Sequence, residues 1–157
     1  MKILVVRHGL AEDSAIGERS LTEEGRAQFQ QVCRRMVDSF TLSFDLLLHS
    51  PLLRAKQTAD IFCDFFSVKK SEESEQLRPE ADVQRFFETM SALSVSSLAL
   101  VGHQPFLSEF VSSSLREKGR NFISISRGGM AFLEFPQGPL PGSGVLTMLL
   151  SPRVFLG

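Results

Sequence analysis

The stretch Ile3-Leu4-Val5-Val6-Arg7-His8-Gly9, near the start of the chain, decides the fold. Its four consecutive aliphatic residues are typical of a β-strand that is covered on both faces. A charged side chain directly after a buried strand needs a partner, so Arg7 indicates a polar site where this strand ends. The rest of the chain should therefore supply a sheet around the strand and further polar groups beside His8.

Other apolar runs predict the remaining strands of that sheet. Phe44–Leu48 and Leu98–Val101 resemble the first strand, because both are nearly continuous aliphatic runs. Near the end of the chain, Met130–Phe135 and Val145–Leu150 predict a hairpin, since the loop between them, Pro136–Gly144, is rich in proline and glycine.

Amphipathic stretches between the strands predict four helices, so that strands and helices alternate along most of the chain. This alternation indicates an α/β fold with a mostly parallel sheet and helices on both faces. The predicted helices are Glu23–Phe40 with Thr22 as N-cap, a second with Ser50 as N-cap and Pro51 at its first position, a third around Val83–Met90 capped by Asp82, and a fourth beginning at Pro105.

Two further features of the chain carry less information. The polar stretch Ser67–Glu80 predicts a loop with room for an edge strand around Val68–Lys70. Cys33 and Cys63 lie far apart inside predicted helices, so we expect reduced interior thiols and neither a disulfide nor a metal pair.

Composition limits the class of protein. The 157 residues fit one domain covering residues 1–157, and 43% hydrophobic with 22% charged residues is ordinary for a globular chain. A net charge of −1 argues against broad nucleic-acid binding. The apolar run before Arg7 is too short for a signal-peptide core and no other segment approaches a membrane span, so a cytoplasmic protein, with a monomer favoured, is expected.

Polar clusters follow each of the three aliphatic strands. They are Arg7-His8-Gly9, then His49-Ser50 with Arg54 in the next helix, and then Gly102-His103. Ligands of open parallel sheets bind outside the carboxyl ends of the strands, so these groups should share one crevice.

The residue types in this crevice indicate phosphoryl transfer. Arginine offers a planar fork of donors that matches phosphate oxygens, which suits Arg7 and Arg54. Histidine titrates near neutrality, so of the two imidazoles, His8 and His103, a neutral one can attack phosphorus while a protonated one donates to phosphate. Gly9 has no side chain to keep a phosphoryl group away from the backbone, whereas His49 is interpreted as structural or incidental. Metal catalysis and acyl transfer are disfavoured, because neither an HxxxH spacing nor a GxSxG elbow occurs.

Taken in order, these segments resemble the histidine phosphatase, or phosphoglycerate-mutase-like, superfamily. The matching motifs are Arg7-His8-Gly9, Leu21-Thr22-Glu23-Glu24-Gly25, Ser50-Pro51-Leu52-Leu53-Arg54-Ala55-Lys56-Gln57-Thr58-Ala59, Gly102-His103-Gln104-Pro105 and Gly128-Gly129-Met130. The resemblance implies a three-layer α/β/α fold without a cap insertion. It also implies His8 as the nucleophile, Arg7, Arg54 and His103 as the rest of a phosphate pocket, and no metal or organic cofactor.

One departure from the family pattern bears on the substrate. Mutases and sugar-phosphate phosphatases of the superfamily carry a glutamate in a leucine-x-glutamate stretch, and here that place reads Leu77-Arg78-Pro79. Glu80 or Asp82 is a candidate to replace it. An alkoxide leaving group needs a positioned acid, whereas a histidine leaving group with an unperturbed pKa of about 6.5 departs more easily.

The resemblance therefore extends to short SixA-type phosphohistidine phosphatases, and phosphohistidine in a signalling or phosphotransfer protein is the expected substrate. Two alternatives stay open on the sequence. One is a phosphatase or mutase for small sugar-phosphate-type esters, and the other is a non-catalytic module that binds phosphoproteins.

Overall fold

The computed structural model describes residues 1–116 and 121–156, and its centre is a six-stranded sheet. In spatial order the sheet runs β5-β3-β6-β1-β7-β8, beside a separate two-stranded pair formed by β2 and β4. The strands are β1 (Lys2–Arg7), β2 (Ser43–Phe44), β3 (Leu46–His49), β4 (Ser67–Val68), β5 (Ser71–Glu73), β6 (Ser97–Gly102), β7 (Met130–Glu134) and β8 (Val145–Leu150). The helices are α1 (Glu23–Ser39), α2 (Leu53–Phe65), α3 (Val83–Ser91), α4 (Phe106–Leu115) and α5 (Arg153–Leu156), with a 3-10 turn at Glu75–Leu77.

Strand β1 lies inside the sheet, as its aliphatic run predicts. It pairs in parallel with β6, which places Arg7 opposite Gly102, and β6 pairs in parallel with β3. On its other side β1 pairs antiparallel with β7, and β7 with β8 forms the predicted hairpin. The mostly parallel sheet of the sequence prediction is therefore confirmed, with an antiparallel hairpin at one edge.

Helices cover both faces of the sheet and give the expected three layers. Side chains alternate along β1, so Ile3 and Val5 belong to one core while Leu4 and Val6 belong to the other. The first core contains the buried faces of α3 and α4, and the second contains those of α1 and α2. Burial of β1 from both sides explains why its sequence shows no polar alternation.

Helix α1 begins where the sequence places it. The Thr22 hydroxyl accepts a hydrogen bond from the Gly25 amide at 2.9 Å and so caps the first turn. Gly25 itself packs against the chain that leaves the first strand, because a Cβ atom there would lie 2.1 Å from the Leu10 carbonyl oxygen. The glycine therefore lets α1 approach the segment that carries His8.

Three local predictions are wrong in detail. Helix α2 begins at Leu53, and Leu52 occupies the cap position without a side-chain hydrogen bond, so Ser50 and Pro51 precede the helix. The edge strand that pairs with β3 is Ser71–Glu73 and not the region around Val68–Lys70, although Val68 ends the short strand β4. Cys33 is buried as expected, whereas Cys63 faces solvent on α2, which is therefore less deeply buried than its apolar composition indicates.

No helix within residues 1–116 and 121–156 is long and apolar enough to cross a membrane.

Candidate active site

Hydrogen bonding of the parallel sheet continues past the ends of the strands into the polar segments. The His8 amide donates to the Gly102 carbonyl oxygen at 3.0 Å, and the Ser50 amide donates to the Val101 carbonyl oxygen at 2.9 Å. The backbone of three polar clusters that lie far apart in sequence is thereby fixed at one edge of the sheet. The polar segments therefore meet at the edge of the sheet that strand topology predicts.

The His8 imidazole is buried, and its orientation defines the role of each ring nitrogen. Its Nδ1 atom lies 2.7 Å from the Gly9 carbonyl oxygen, which can only accept, so Nδ1 carries the hydrogen. The Nε2 atom therefore keeps its lone pair, and the Nε–H of Arg54 approaches it at 3.3 Å. In this tautomer Nε2, and not Nδ1, is the ring atom with a lone pair.

The surroundings of His8 favour the neutral ring. Burial, together with the nearby positive charges of Arg54, Arg7 and Arg19, lowers the pKa of His8 to about 4, against the opposing bond to Gly9. A neutral ring near pH 7 is the form that can attack phosphorus.

Arg54 is fixed by the first turn of α2 and is linked to the segment after β1 through Thr58. The Thr58 hydroxyl donates to the Arg54 carbonyl oxygen at 2.7 Å and accepts from the Gly9 amide at 3.1 Å. Thr58 is fully buried, so both of its hydrogen bonds are shielded from water. The sequence motif includes this residue but does not predict its link between the helix and Gly9.

Arg7 lies on the other side of His8 and is held by the chain that precedes β7. Its Nη1 donates to the Ile125 carbonyl oxygen at 2.9 Å, and Gln104 Nε2 donates to the same oxygen at 3.1 Å. The Gly128 amide contacts the carbonyl oxygens of Arg7 and His8 at 3.1 and 2.9 Å. This anchoring near Ile125 has no signal in the sequence, because the two segments are 118 positions apart.

His103 is buried next to His8, with the two ring centroids 4.9 Å apart. Its Nε2 lies 2.8 Å from the hydroxyl of Ser50, which is itself fully buried. Burial, followed by the charges of His8 and the nearby arginines, lowers the pKa of His103 to about 3. Burial therefore favours the neutral ring, which donates through one N–H, and the protonated donor expected from the sequence stays a prediction.

Two buried nitrogens at this edge lack a hydrogen-bond partner. Within residues 1–116 and 121–156, they are Arg7 Nε and His103 Nδ1. Buried polar groups are nearly always paired, so unpaired ones call for a functional explanation. An acceptor such as a phosphoryl oxygen would satisfy either nitrogen if the surrounding side chains moved to admit it.

Charges around the two histidines are dominated by guanidinium groups. Arg54 and Arg7 act on both rings, whereas Arg19 acts on His8 and Arg78 on His103. No carboxylate in the described part of the chain is among the groups that act on either ring in this way. Such a field favours an anionic ligand.

Neither candidate general acid contacts the histidines in the described structure. Asp82 caps α3, where its Oδ1 accepts from the Arg85 amide at 2.9 Å. Glu80 is exposed, and its charge acts on Arg78. Arg78 in turn donates two hydrogen bonds to the carboxylate of Glu75.

His49 ends β3, and its ring contacts the backbone of the next residue instead of the other site histidines. Its Nδ1 lies 3.0 Å from the Ser50 carbonyl oxygen. The structure thus brings His8, Arg7, Arg54 and His103 to one edge and places His49 at the flank.

The site consists of a buried, neutral imidazole among fixed cations, and it lies at the carboxyl edge of a mostly parallel sheet. Such a site suits an α/β protein that handles phosphoryl groups. Sequence comparison agrees with this class, because residues 3–92 match the histidine phosphatase superfamily (branch 1). The chain belongs to the histidine phosphatase superfamily, and its class of activity is that of a phosphatase. An uncharacterised protein of Picosynechococcus sp. is 31% identical over 165 residues, which cover 99% of each chain.

Solved structures share the fold along nearly the whole chain. A protein histidine phosphatase SixA complexed with tungstate superposes with a TM-score of 0.84 at 24% identity, covering 98% of this chain and 99% of that one. An α-ribazole phosphatase from Shigella flexneri gives 0.75 at 18% identity, with 97% of each chain covered. A phosphoserine phosphatase from Entamoeba histolytica, in complex with 3-phosphoglyceric acid, gives 0.69 at 16% identity and 99% coverage of both. The phosphoglycerate-mutase-like fold predicted from the sequence is confirmed.

Proposed function

We propose that this phosphatase acts through a covalent phosphohistidine at Nε2 of His8, and that its substrate is phosphohistidine in a signalling or phosphotransfer protein. The observation that carries the proposal is the tautomer of His8. Its Nδ1 is tied to Gly9, so the Nε2 lone pair is presented among the guanidinium groups.

The reaction has two transfers. First, Nε2 of His8 attacks phosphorus, the bond between phosphorus and the substrate imidazole breaks, and the leaving ring departs as neutral imidazole if it is already protonated. Water then attacks the phosphorus on His8, loses a proton to solvent, and releases inorganic phosphate while Nε2 regains its electron pair. Arg7 and Arg54 would stabilise charge on the transferred oxygens in both steps, and His103 would donate from Nδ1.

Proposed substrate preference follows from the proton requirement of the leaving group. An alkoxide must receive a proton as it leaves, but Asp82 is bonded to the Arg85 amide and Glu80 is exposed. A histidine leaving group has an unperturbed pKa of about 6.5, far below that of an alcohol, so it depends less on a proton from a positioned acid. The local chemistry therefore favours a phosphoramidate over an alkyl phosphate.

The test compares phosphate release from a histidine-phosphorylated protein with release from a panel of sugar phosphates. His8→Ala is the blank, and His49→Ala is the matched histidine control. We expect release from the protein, loss in His8→Ala and retention in His49→Ala. Preference for the sugar phosphates would contradict the proposed substrate and support a small-ester phosphatase.

A labelling experiment tests the covalent step separately. Rapid acid-free quenching with a 32P-labelled substrate should leave label on wild-type protein and none on His8→Ala. Binding of the phosphoprotein without label or turnover would identify a non-catalytic binding module instead.

A further inference from the structure

An isolated antiparallel bridge between Ala11 and Leu21 closes the base of a surface loop. We call this segment the 11–21 loop. Its tip presents Ile16, which is 90% exposed. The Ser14 hydroxyl donates to the Ile16 carbonyl oxygen at 2.6 Å and accepts from the Ile16 amide at 3.3 Å. Gly17 follows with a φ of +84°, a conformation that favours glycine. Local hydrogen bonds thus hold a large apolar side chain out in water.

The base of the 11–21 loop is attached to the candidate active site. The Leu21 amide donates to Gln57 Oε1 at 2.7 Å, which ties the loop to the first turns of α2. The Leu21 side chain also packs on Gly9, since a Cβ atom at Gly9 would lie 3.3 Å from Leu21 Cδ2. A molecule that contacts the loop while its phosphoryl group reaches His8 would therefore meet a surface of fixed geometry.

Charges on the loop differ between its base and its tip. Arg19 lies at the base, where its Nε donates to the Glu12 carbonyl oxygen at 2.6 Å, and its charge acts on both His8 and Arg54. Asp13 and Glu18 are exposed nearer the tip, on either side of Ile16 in the sequence. The base suits a phosphoryl group, whereas the tip is an apolar side chain bordered by carboxylates.

We propose that the 11–21 loop docks the protein substrate, with Ile16 entering an apolar patch bordered by basic side chains beside the phosphorylated residue of the partner. This proposal rests on the proposed function and specifies its substrate as a folded phosphoprotein. Burial of an exposed isoleucine at an interface supplies binding energy, and the acidic border selects partners with the complementary charge. A small phosphoramidate reaches only the base of the loop and gains nothing from the tip.

The test measures kcat/KM of wild type and Ile16→Ser on two substrates, a histidine-phosphorylated protein and free phosphohistidine. Leu140→Ser is the matched control, because Leu140 is 54% exposed in the hairpin loop at the opposite end of the sheet. We expect the ratio of protein to free-amino-acid kcat/KM to fall about tenfold in Ile16→Ser, mainly through KM, and to stay at the wild-type value in Leu140→Ser. The double charge reversal D13K/E18K should lower the same ratio and weaken its dependence on salt.

Each other outcome has a defined meaning. An unchanged ratio in Ile16→Ser, or an equal loss on both substrates, would overturn docking while leaving the proposed function in place. If sedimentation showed that Ile16→Ser changes the oligomeric state, the loop would be a contact between two copies of the chain. That result would also overturn the docking proposal. Failure of wild type on both substrates would remove the proposed function and the docking proposal together.

Discussion

The Nε atom of Arg54 lies 3.3 Å from Nε2 of His8, and the carbonyl oxygen of the same arginine is bonded to Thr58, which also holds the amide of Gly9. Helix α2 and the segment after β1 are thus linked twice. One link joins the side chains of Arg54 and His8, and the other joins the Arg54 carbonyl to the Gly9 amide through the Thr58 hydroxyl. Movement of α2 relative to β1 would change the surroundings of Nε2 directly. The candidate nucleophile and its nearest cation therefore behave as one structural unit.

Replacement of Arg54 by alanine should reduce kcat by about 10²- to 10³-fold, because a fixed donor to developing phosphoryl charge is lost. The measurement is steady-state phosphate release by purified, folded protein. Arg34→Ala is the control, since Arg34 is exposed on α1. Near-normal kcat in Arg54→Ala would remove this residue from transition-state stabilisation.

Replacement of Thr58 by valine should lower both stability and turnover, because it removes the hydroxyl that joins Gly9 to Arg54 while keeping the shape of the side chain. We expect a loss of about 1–3 kcal/mol in the free energy of unfolding, as for other buried groups left without a partner. The kcat should fall more than KM changes, since Thr58 would position the reacting groups without touching substrate.

The conservative variant Thr58→Ser provides the control for this positioning role. Serine keeps the hydroxyl, so it should recover most of the kcat. If serine and valine reduce kcat equally, the effect belongs to packing and not to the hydrogen bonds.

Stability should fall in mild acid because the two buried histidines resist protonation. The pKa of His8 is lowered to about 4 and that of His103 to about 3, both from 6.5. Between these values and 6.5 the unfolded chain binds protons that the folded chain does not, so the free energy of unfolding decreases as pH falls. From about pH 7 to about pH 5 the decrease should be roughly 1–2 kcal/mol for each histidine.

Urea unfolding at the two pH values measures this dependence. The variants His8→Asn and His103→Asn should each show a smaller decrease than wild type, and the double variant the smallest. A double variant with the wild-type pH dependence would show that other groups cause the acid sensitivity.

Replacement of Gly25 by alanine should destabilise the protein although alanine favours helices. A Cβ atom there would lie 2.1 Å from the Leu10 carbonyl oxygen, so backbone must shift. We expect a loss of about 3 kcal/mol, measured by urea unfolding, because overpacking exceeds the gain in helix propensity. Ala27→Gly, at an exposed position of the same helix, should lose only about 1 kcal/mol, and equal losses would contradict the steric explanation.

Much of this arrangement can be read from the sequence, because local patterns determine it. The aliphatic run before Arg7 requires burial on both faces, and this alone places the strand inside the sheet. Once Leu98–Val101 is recognised as a second such strand, the topology brings His8 and His103 to the same edge. The N-caps Thr22 and Asp82 could also be predicted from the sequence, because each accepts a hydrogen bond from an amide three residues later.

Features that depend on distant contacts could not be predicted in the same way. Ser50 resembles an N-cap, but helix α2 starts only at Leu53, and the Ser50 hydroxyl contacts His103 across 53 positions as well as the Leu52 amide. Strand β5 has the sequence Ser71–Glu73, whose polar residues are tolerated because this strand lies at the edge of the sheet. The link from Thr58 to Gly9 likewise exists only after α2 packs on the sheet.

Anchoring of Arg7 by the Ile125 carbonyl oxygen also has a consequence for biosynthesis. The ribosome makes Arg7 well before its partner, because Ile125 follows 118 positions later in the chain. Parallel pairing and long loop closure are slow steps in folding, so the catalytic arrangement should form late. A nascent chain that ends before Ile125 should therefore carry the candidate nucleophile without the anchor that fixes Arg7, and catalytic competence would appear only after Ile125 has been added.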